Sequence, residues 1–415
     1  MRCFFAMSTT IFVVLVQLSL AMGASGPAQF EQVNIFNTNG VNSLSVGDLN
    51  RDGLDDIACG CTDGRLFRYA QTSTIGFFTS LQIDNLGQAI NVKIGEISGD
   101  AYNDIAVVRS DGSLHREFST GSDSFAYALI GSYGAALTGP EICDLNQDGR
   151  NDILVDRHSD GAFSVRYQNG SGGFTYALLI NYGAGTHAIA AGHLDDTTGT
   201  LVNDFVVGRE YDGVLYAEFQ TTPGSFSHVL LDTFSSPING VSAVTLLKVA
   251  DLNGDGRQDI LVICEDGKIY RETQIPLASR NFFRTTLVDF AQQMNAIAVD
   301  DMNHDTLNDI VIGLADGTVS ILYQQDDGTF TNVTNASFPG ESIAAIDTGD
   351  FSNDGYRDFV VGFGSGAVYA FYQRGCSPAL AGDLNNDCEV KFDDFAIMAS
   401  HWMECSLVNQ TVCSN

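Results

Sequence analysis

Three stretches of the chain place oxygen-bearing side chains on alternate residues. Asp48, Asn50, Asp52 and Asp56 form the first, Asp144, Asn146, Asp148 and Asp152 the second, and Asp251, Asn253, Asp255 and Asp259 the third. A glycine at the sixth position (Gly53, Gly149, Gly256) allows a sharp turn. Alternation aims the side-chain oxygens at one point, the seventh residue can add its carbonyl, and the ninth-position Asp closes the shell. Calcium takes roughly six to eight oxygens at about 2.3–2.6 Å, which this supply suits. Magnesium prefers a smaller octahedron that keeps water, and zinc prefers nitrogen and sulfur. Two carboxylates roughly 4 Å apart repel by about 4 kcal/mol at an effective dielectric near 20, so three in one turn call for a counter-ion. Asp, Asn and Gly are also good turn formers, but turn chemistry does not explain the alternation or the fixed final Asp.

Four further stretches vary the pattern. Asp301, Asn303, Asp305 and Asp309 keep every side-chain donor, with Thr306 in place of the glycine. Asp350, Ser352, Asp354 and Asp358 keep Gly355 and bring in a hydroxyl. Glu96, Ser98, Asp100 and Asp104 carry Ala101 at the glycine position. The copy from His193, with Asp195, Asp196 and Asp204, is lengthened and is not expected to bind a cation in the same way. Cation binding by the Glu96 and His193 loops is left open.

The elements that must hold these loops repeat with them. DLNRDGLDDIACGCTDGRLFRY from Asp48 returns as DLNQDGRNDILVDRHSDGAFSVRY from Asp144 and DLNGDGRQDILVICEDGKIYRE from Asp251, and more loosely from Glu96, His193, Asp301 and Asp350. The step is about 50 residues, the range of propeller and solenoid repeats. Each unit reads as a short apolar run, the acidic loop, a β-branched run such as DILV, an Asp-Gly turn, another run, and an aromatic-led run such as FTYALLI from Phe174. That makes four short strands per unit, with no helical period between them. The last unit lacks its aromatic-led strand, and the N-terminus has a spare one, FEQVNIF from Phe30 to Phe36. The expected fold is therefore all-β: a seven-bladed β-propeller over 28–374, closed by that N-terminal strand. Closure leaves no long sheet edge, whereas an open stack of units would.

The acidic loops pass straight into strands after nine residues, unlike the helical EF-hand with its twelve-residue loop. In this the units resemble the FG-GAP or VCBS repeats of the integrin α-subunit propeller, from about Phe30 to Tyr372. The resemblance implies loops that bind calcium and stabilise the ring, with ligand contacts elsewhere on it. After Gly375 the grammar changes. Asp383, Asn385, Asp387 and, at the twelfth position, Asp394 form a loop, and Phe395, Met398, Ala399 and Trp402 follow on one helical face. The segment 375–415 resembles a dockerin, which implies calcium in the loop and a cohesin as partner. Dockerins pair two such segments, this chain has one, and Cys388 replaces the usual glycine. Those departures weigh against docking to a cohesin, and a disulfide-stapled cap is the plainer alternative.

Arg2, the apolar stretch Ile11–Leu20 and the small residues through Ala24 read as a signal peptide over 1–24, so export is expected. Cys3 leaves with it, and the eight remaining cysteines permit disulfides in an oxidising compartment. Cys59 and Cys61 read equally well as buried small residues. The net charge of −31, from 51 acidic against 20 basic residues, argues against nucleic acid and anionic membrane, and no later segment reads as a membrane span. The seven histidines are scattered, and no HExxH, GxSxG, phosphate-loop or zinc pattern occurs. Arg68, Arg116, Arg166 and Arg271 recur after the Asp-Gly turns and could line a groove or offset nearby carboxylates. Two functions remain in view. One is a secreted, calcium-binding adhesion module for a glycan or protein ligand, without catalysis. The alternative is an extracellular carbohydrate-active enzyme or a dockerin-tethered part of a polysaccharide-degrading system.

Overall fold

The structure is a computed structural model. It describes residues 28–373, apart from 29, 73, 75–76, 89, 101, 120–123, 184, 196–201, 236–239, 241 and 276–279, together with Phe395. The expected signal peptide and the loop of Asp383, Asn385, Asp387 and Asp394 lie outside the described residues.

Twenty-eight strands, β1 to β28, form seven four-stranded antiparallel sheets among the described residues. The first blade shows the plan: β2 (Val41–Gly47), β3 (Asp56–Cys61), β4 (Arg65–Gln71) and β5 (Phe78–Asn85), paired in chain order. The last blade breaks that order. Its strands β26 (Ile343–Gly349), β27 (Asp358–Phe363) and β28 (Ala367–Gln373) are completed by β1 (Phe30–Asn37). The antiparallel register runs from Phe30 opposite Gln373 to Asn37 opposite Ala367. The spare N-terminal strand thus closes the ring, and β2 packs against β26 on one side and against β6 (Ile90–Gly95) on the other.

Burial follows strand position. The second strand of a blade is covered on both faces, so its residues form a nearly continuous apolar run; β3 and β27 are buried along their whole length. The outermost strands carry only partly buried and exposed residues, as in β5. The core lies between blades. Leu49, Ala58 and Leu66 of the first blade pack against Ile90, Val92, Ile94, Ile105 and Val107 of the second. Each of these Leu, Ile and Val side chains contributes about 1.5–3 kcal/mol when fully buried. Neighbouring sheets approach closely enough that a Cβ on Gly313 would lie 2.5 Å from Ile343 Cγ2. A side chain there would push two blades apart.

The acidic loops join the first and second strands of the blades, and the Asp-Gly turns join the second and third. The two sets therefore lie on opposite faces of the ring. The innermost strands of six blades line one axial cavity of about 250 Å³, with Asn42, Glu141, His187, Lys248 and Asn295 among its walls. Cys59, Cys61, Cys143 and Cys264 carry free thiols. Cys59 and Cys61 are buried in one cluster with Tyr69 and Phe351, the small-residue reading of that pair. Among the described residues no helix is long and apolar enough to cross a membrane.

Candidate functional site

In five loops the first-position carboxylate folds back over the turn and accepts from the sixth-position amide. The bonds are Gly53 N to Asp48 Oδ2 (3.0 Å), Gly149 N to Asp144 Oδ2 (2.8 Å), Gly256 N to Asp251 Oδ2 (2.7 Å), Thr306 N to Asp301 Oδ2 (2.8 Å) and Gly355 N to Asp350 Oδ2 (2.9 Å). The third-position Asn oxygen accepts from the fifth-position amide, as Asn146 Oδ1 does from Asp148 N at 2.9 Å. Glycine at position six has φ near +80°, and Thr306 takes the same left-handed conformation at +74°. A β-branched residue there is strained, so the Asp301 loop keeps the shape of the others at a cost of about 1–3 kcal/mol. Position four is also left-handed, in Arg51, Gln147, Gly254, His304 and Asn353. These turns set the oxygens of positions one, three and five on the loop's own amides, as Asp48, Asn50 and Asp52 show with Gly53 N, Asp52 N and Leu54 N.

The donors suit a hard cation. All are oxygens, most are carboxylates, and the loop around Asp350 holds one with nothing to satisfy it: Ser352 Oγ is buried without a hydrogen-bond partner. An oxygen-only set of this kind fits calcium better than zinc. Asp48, Asn50, Asp52 and Asp56 would hold it in the first loop, and the matching residues in the loops of Asp144, Asp251, Asp301 and Asp350. The lengthened copy differs. Asp195 falls at the third position, where the other loops carry Asn or Ser, and is engaged by Arg280, Nε to Oδ2 at 2.8 Å. In the full loops the fifth-position Asp148 and Asp255 pair with Arg150 and Arg257. Asp196 lies outside the described residues.

The ninth-position Asp has a second role. Asp152 is fully buried and accepts from Leu145 N at 3.0 Å, at the start of its loop, and from Gln168 N at 2.9 Å, at the end of the third strand. Asp104 repeats this with Ile97 N (3.3 Å) and Ser119 N (3.1 Å), and Asp204 with Leu194 N (2.9 Å) and Gln220 N (2.7 Å). Asp56, Asp259, Asp309 and Asp358 do the same. The clasp is therefore present even in the Glu96 and His193 copies. Oδ2 of Asp56 also accepts from Arg68 Nε and Oδ2 of Asp358 from Ser352 N, so in those two loops Oδ1 is the oxygen with a lone pair left for a cation. Burial pushes these carboxyls up, to about 7 in Asp56, Asp152, Asp204, Asp259 and Asp358, about 6 in Asp104 and about 8 in Asp309. A cation beside them would favour the ionised form.

The eighth position was not singled out in the sequence, and it links the blades. Asn103 Nδ2 donates to Asp48 O of the preceding blade at 3.0 Å, Asn151 to Glu96 O at 3.1 Å, Asn203 to Asp144 O at 2.9 Å and Asn308 to Asp251 O at 3.0 Å. Gln258 Oε1 accepts from His193 N at 2.7 Å, and Arg357 meets Asp300 at 3.3 Å. Asp55 Oδ2 accepts from Asp350 N at 2.9 Å, which joins the first blade to the last. Seven links thus make a closed belt through the acidic loops. The signal was the amide or charged residue before each ninth-position Asp; its partner, one blade away, has no mark in the sequence.

The recurrent arginines serve the same loops. Arg68 is buried on Asp56, Nε to Oδ2 at 3.1 Å. Arg116 Nη1 donates to Ile97 O (2.8 Å) and to Gly172 O of the next blade (3.1 Å), and Arg271 Nη1 to Leu252 O (2.6 Å) and Gly328 O (2.9 Å). Arg166 is out of step. It pairs with Ile153, whereas Arg68 pairs with Ala58 and Arg271 with Leu261, so it points to the other sheet face. There its guanidinium lies over Tyr133 and Tyr176, 5.2 and 4.8 Å from the ring centres.

Comparison with known proteins agrees with this architecture. Residues 301–361 match the model of the FG-GAP-like repeat family. No curated protein matches the chain in sequence. Among solved structures the chain is similar to the WD40 β-propeller domain of Doa1, with a TM-score of 0.55 at 14% identity, over 85% of this chain and 98% of that one. It is also similar to BBS1N, solved in complex with ARL6DN and soaked with lead, with a TM-score of 0.54 at 13% identity, over 83% and 98% of the two chains. At such identities the likeness is one of fold.

Proposed function

We propose that the protein is a secreted, calcium-stiffened propeller that acts as a non-catalytic binding module for an extracellular glycan or protein. One observation carries the reading. The loops with the calcium-type donor set are the same loops that clasp each blade and link it to the next. A cation in them therefore braces the whole ring and not one turn. A rigid ring is what a binding surface needs, since ordering on binding then costs little. Extracellular calcium is abundant enough for modules of modest affinity, which agrees with the expected export. On this reading the ligand binds the face opposite the acidic loops, on which Tyr211 is 63% exposed. Exposed tyrosine offers apolar area with a polar tip.

The test is a screen of polysaccharides and glycoproteins on the mature protein, in calcium and again after chelation, with the eluates examined for cleavage. Retention in calcium, loss on chelation and intact ligand are expected. Cleavage products would replace this reading with the carbohydrate-active enzyme.

A further inference from the structure

On the face opposite the acidic loops, two turns and the start of one strand, from two blades, bring together His158, Glu210 and His187. His158 follows β11 (Asp152–Arg157), His187 opens β14 (Thr186–Gly192), and Glu210 follows β15 (Asp204–Arg209). Their ligating atoms all lie within 4.8 Å of one another. His158 Nε2 is 3.3 Å from Glu210 Oε1, and His187 Nδ1 is 3.4 Å from Glu210 Oε2. We propose that these three side chains form a binding site for a divalent transition-metal ion of the zinc class, separate from the calcium-type loops.

Three observations carry it. The first is the spacing. Zinc bonds of about 2.0–2.2 Å in a tetrahedron put neighbouring ligand atoms roughly 3.3–3.5 Å apart. Ordinary N–H···O hydrogen bonds run about 2.7–3.2 Å, so both contacts, each to a different oxygen of the one carboxylate, are longer than a direct imidazole–carboxylate bond prefers and close to a tetrahedral edge in length. The second is orientation. His158 Nδ1 sits 2.6 Å from Thr186 O, which holds the proton on that nitrogen and leaves Nε2 as a free lone pair toward the cluster. A carbonyl on the second ring nitrogen is the usual outer support of a metal-bound histidine. The third is preorganisation. Gly185 N donates to His158 O at 3.2 Å and Glu210 N donates to Gly185 O at 2.7 Å, so backbone bonds tie the two turns to the start of β14 across the blade boundary. Two imidazoles and one carboxylate give three protein ligands, the count that leaves a fourth position open for water or a ligand atom. His187 also lines a cavity of about 220 Å³.

The experiment is a zinc titration of the full chain in excess calcium, so that the acidic loops are occupied, read by calorimetry and repeated with cobalt for its visible bands. Wild-type protein should take up a zinc equivalent that His158→Ala, His187→Ala and Glu210→Gln each lose. The loss of affinity should exceed the roughly 10- to 100-fold cost of removing an outer-shell partner. Cobalt should give the intense bands of a tetrahedral site in wild type, and these should vanish in the histidine variants. Glu210→Gln keeps the size and hydrogen-bonding reach of the side chain, so a variant that melts like wild type in calcium yet loses zinc separates metal binding from folding. Equal zinc stoichiometry and affinity in wild type and variants would overturn the proposal, because any zinc then sits elsewhere in the chain. Absence of saturable zinc uptake by wild type would overturn it as well.

Discussion

The loops of Asp144 and of Glu96 sit in adjacent blades and do one job alike and another differently. At their ends they are the same: Asp152 and Asp104 each clasp two backbone amides, and Asn151 and Asn103 each reach a carbonyl of the preceding blade. At their heads they diverge. Asp144 uses one oxygen on the amides of Asn146 and Asp148 and the other on Gly149 N. Glu96, with its longer side chain, turns a single oxygen, Oε1, onto both Ser98 N and Gly99 N. The tail of the repeat is thus architecture shared by the blades, and the head, the proposed cation site, is the part that varies.

The largest effect should come from removing calcium altogether. A ligand that binds only the folded state adds about 2.7 kcal/mol per site at 100 times its Kd, so emptying several loops should lower the Tm by many degrees in calorimetry. An unchanged melt in excess chelator would reduce the heads to turns and erase the comparison. Next come the clasps. Asp152→Ala and Asp104→Ala each strand two buried amides, at about 1–3 kcal/mol apiece, and should destabilise alike in chelator by denaturant unfolding. In calcium the Asp152 variant should lose more. Asp148→Ala against Asp100→Ala isolates the heads: in calcium the first should melt lower, and in chelator the gap should close.

The acid dependence sharpens the same contrast. Burial holds the clasp carboxyls at about 6 to 8, above an unfolded Asp. The folded chain then binds more protons than the unfolded one through that window, so metal-free protein should lose stability as pH rises from 4 to 8. Calcium, which needs the ionised form, should cancel or reverse that slope in urea melts across pH. The smallest effect is expected at Thr306→Gly, which relieves the left-handed strain and should raise stability by about 1 kcal/mol. A loss there would mean the threonine contributes more than its backbone costs.

Much of this could be read from the chain alone, because it is local. Strand runs, Asp-Gly turns and alternating oxygens depend on neighbours a few residues away, and the count of aromatic-led strands forced the N-terminal segment into the last blade. Gly53 and Gly149 announced their turns, although Thr306 shows that the turn survives without glycine. The register of Arg166 was missed because one extra residue after its turn moves it to the other sheet face, a shift that a count from the loop does not display.

What only the tertiary structure decided lies between blades. Asn103 and Asp48, or Asp55 and Asp350, meet because closing the ring stacks one sheet on the next, and no period within a single repeat encodes which carbonyl lies opposite. The histidines looked scattered for the same reason: His158, His187 and Glu210 belong to separate segments, two turns and one strand, and acquire a common centre only when two blades pack. The sequence by itself determined the repeat, the loops and the closure, since these rest on short-range turn and strand chemistry. The belt and the histidine cluster rest on long-range packing, which brings together residues that local pattern leaves unrelated.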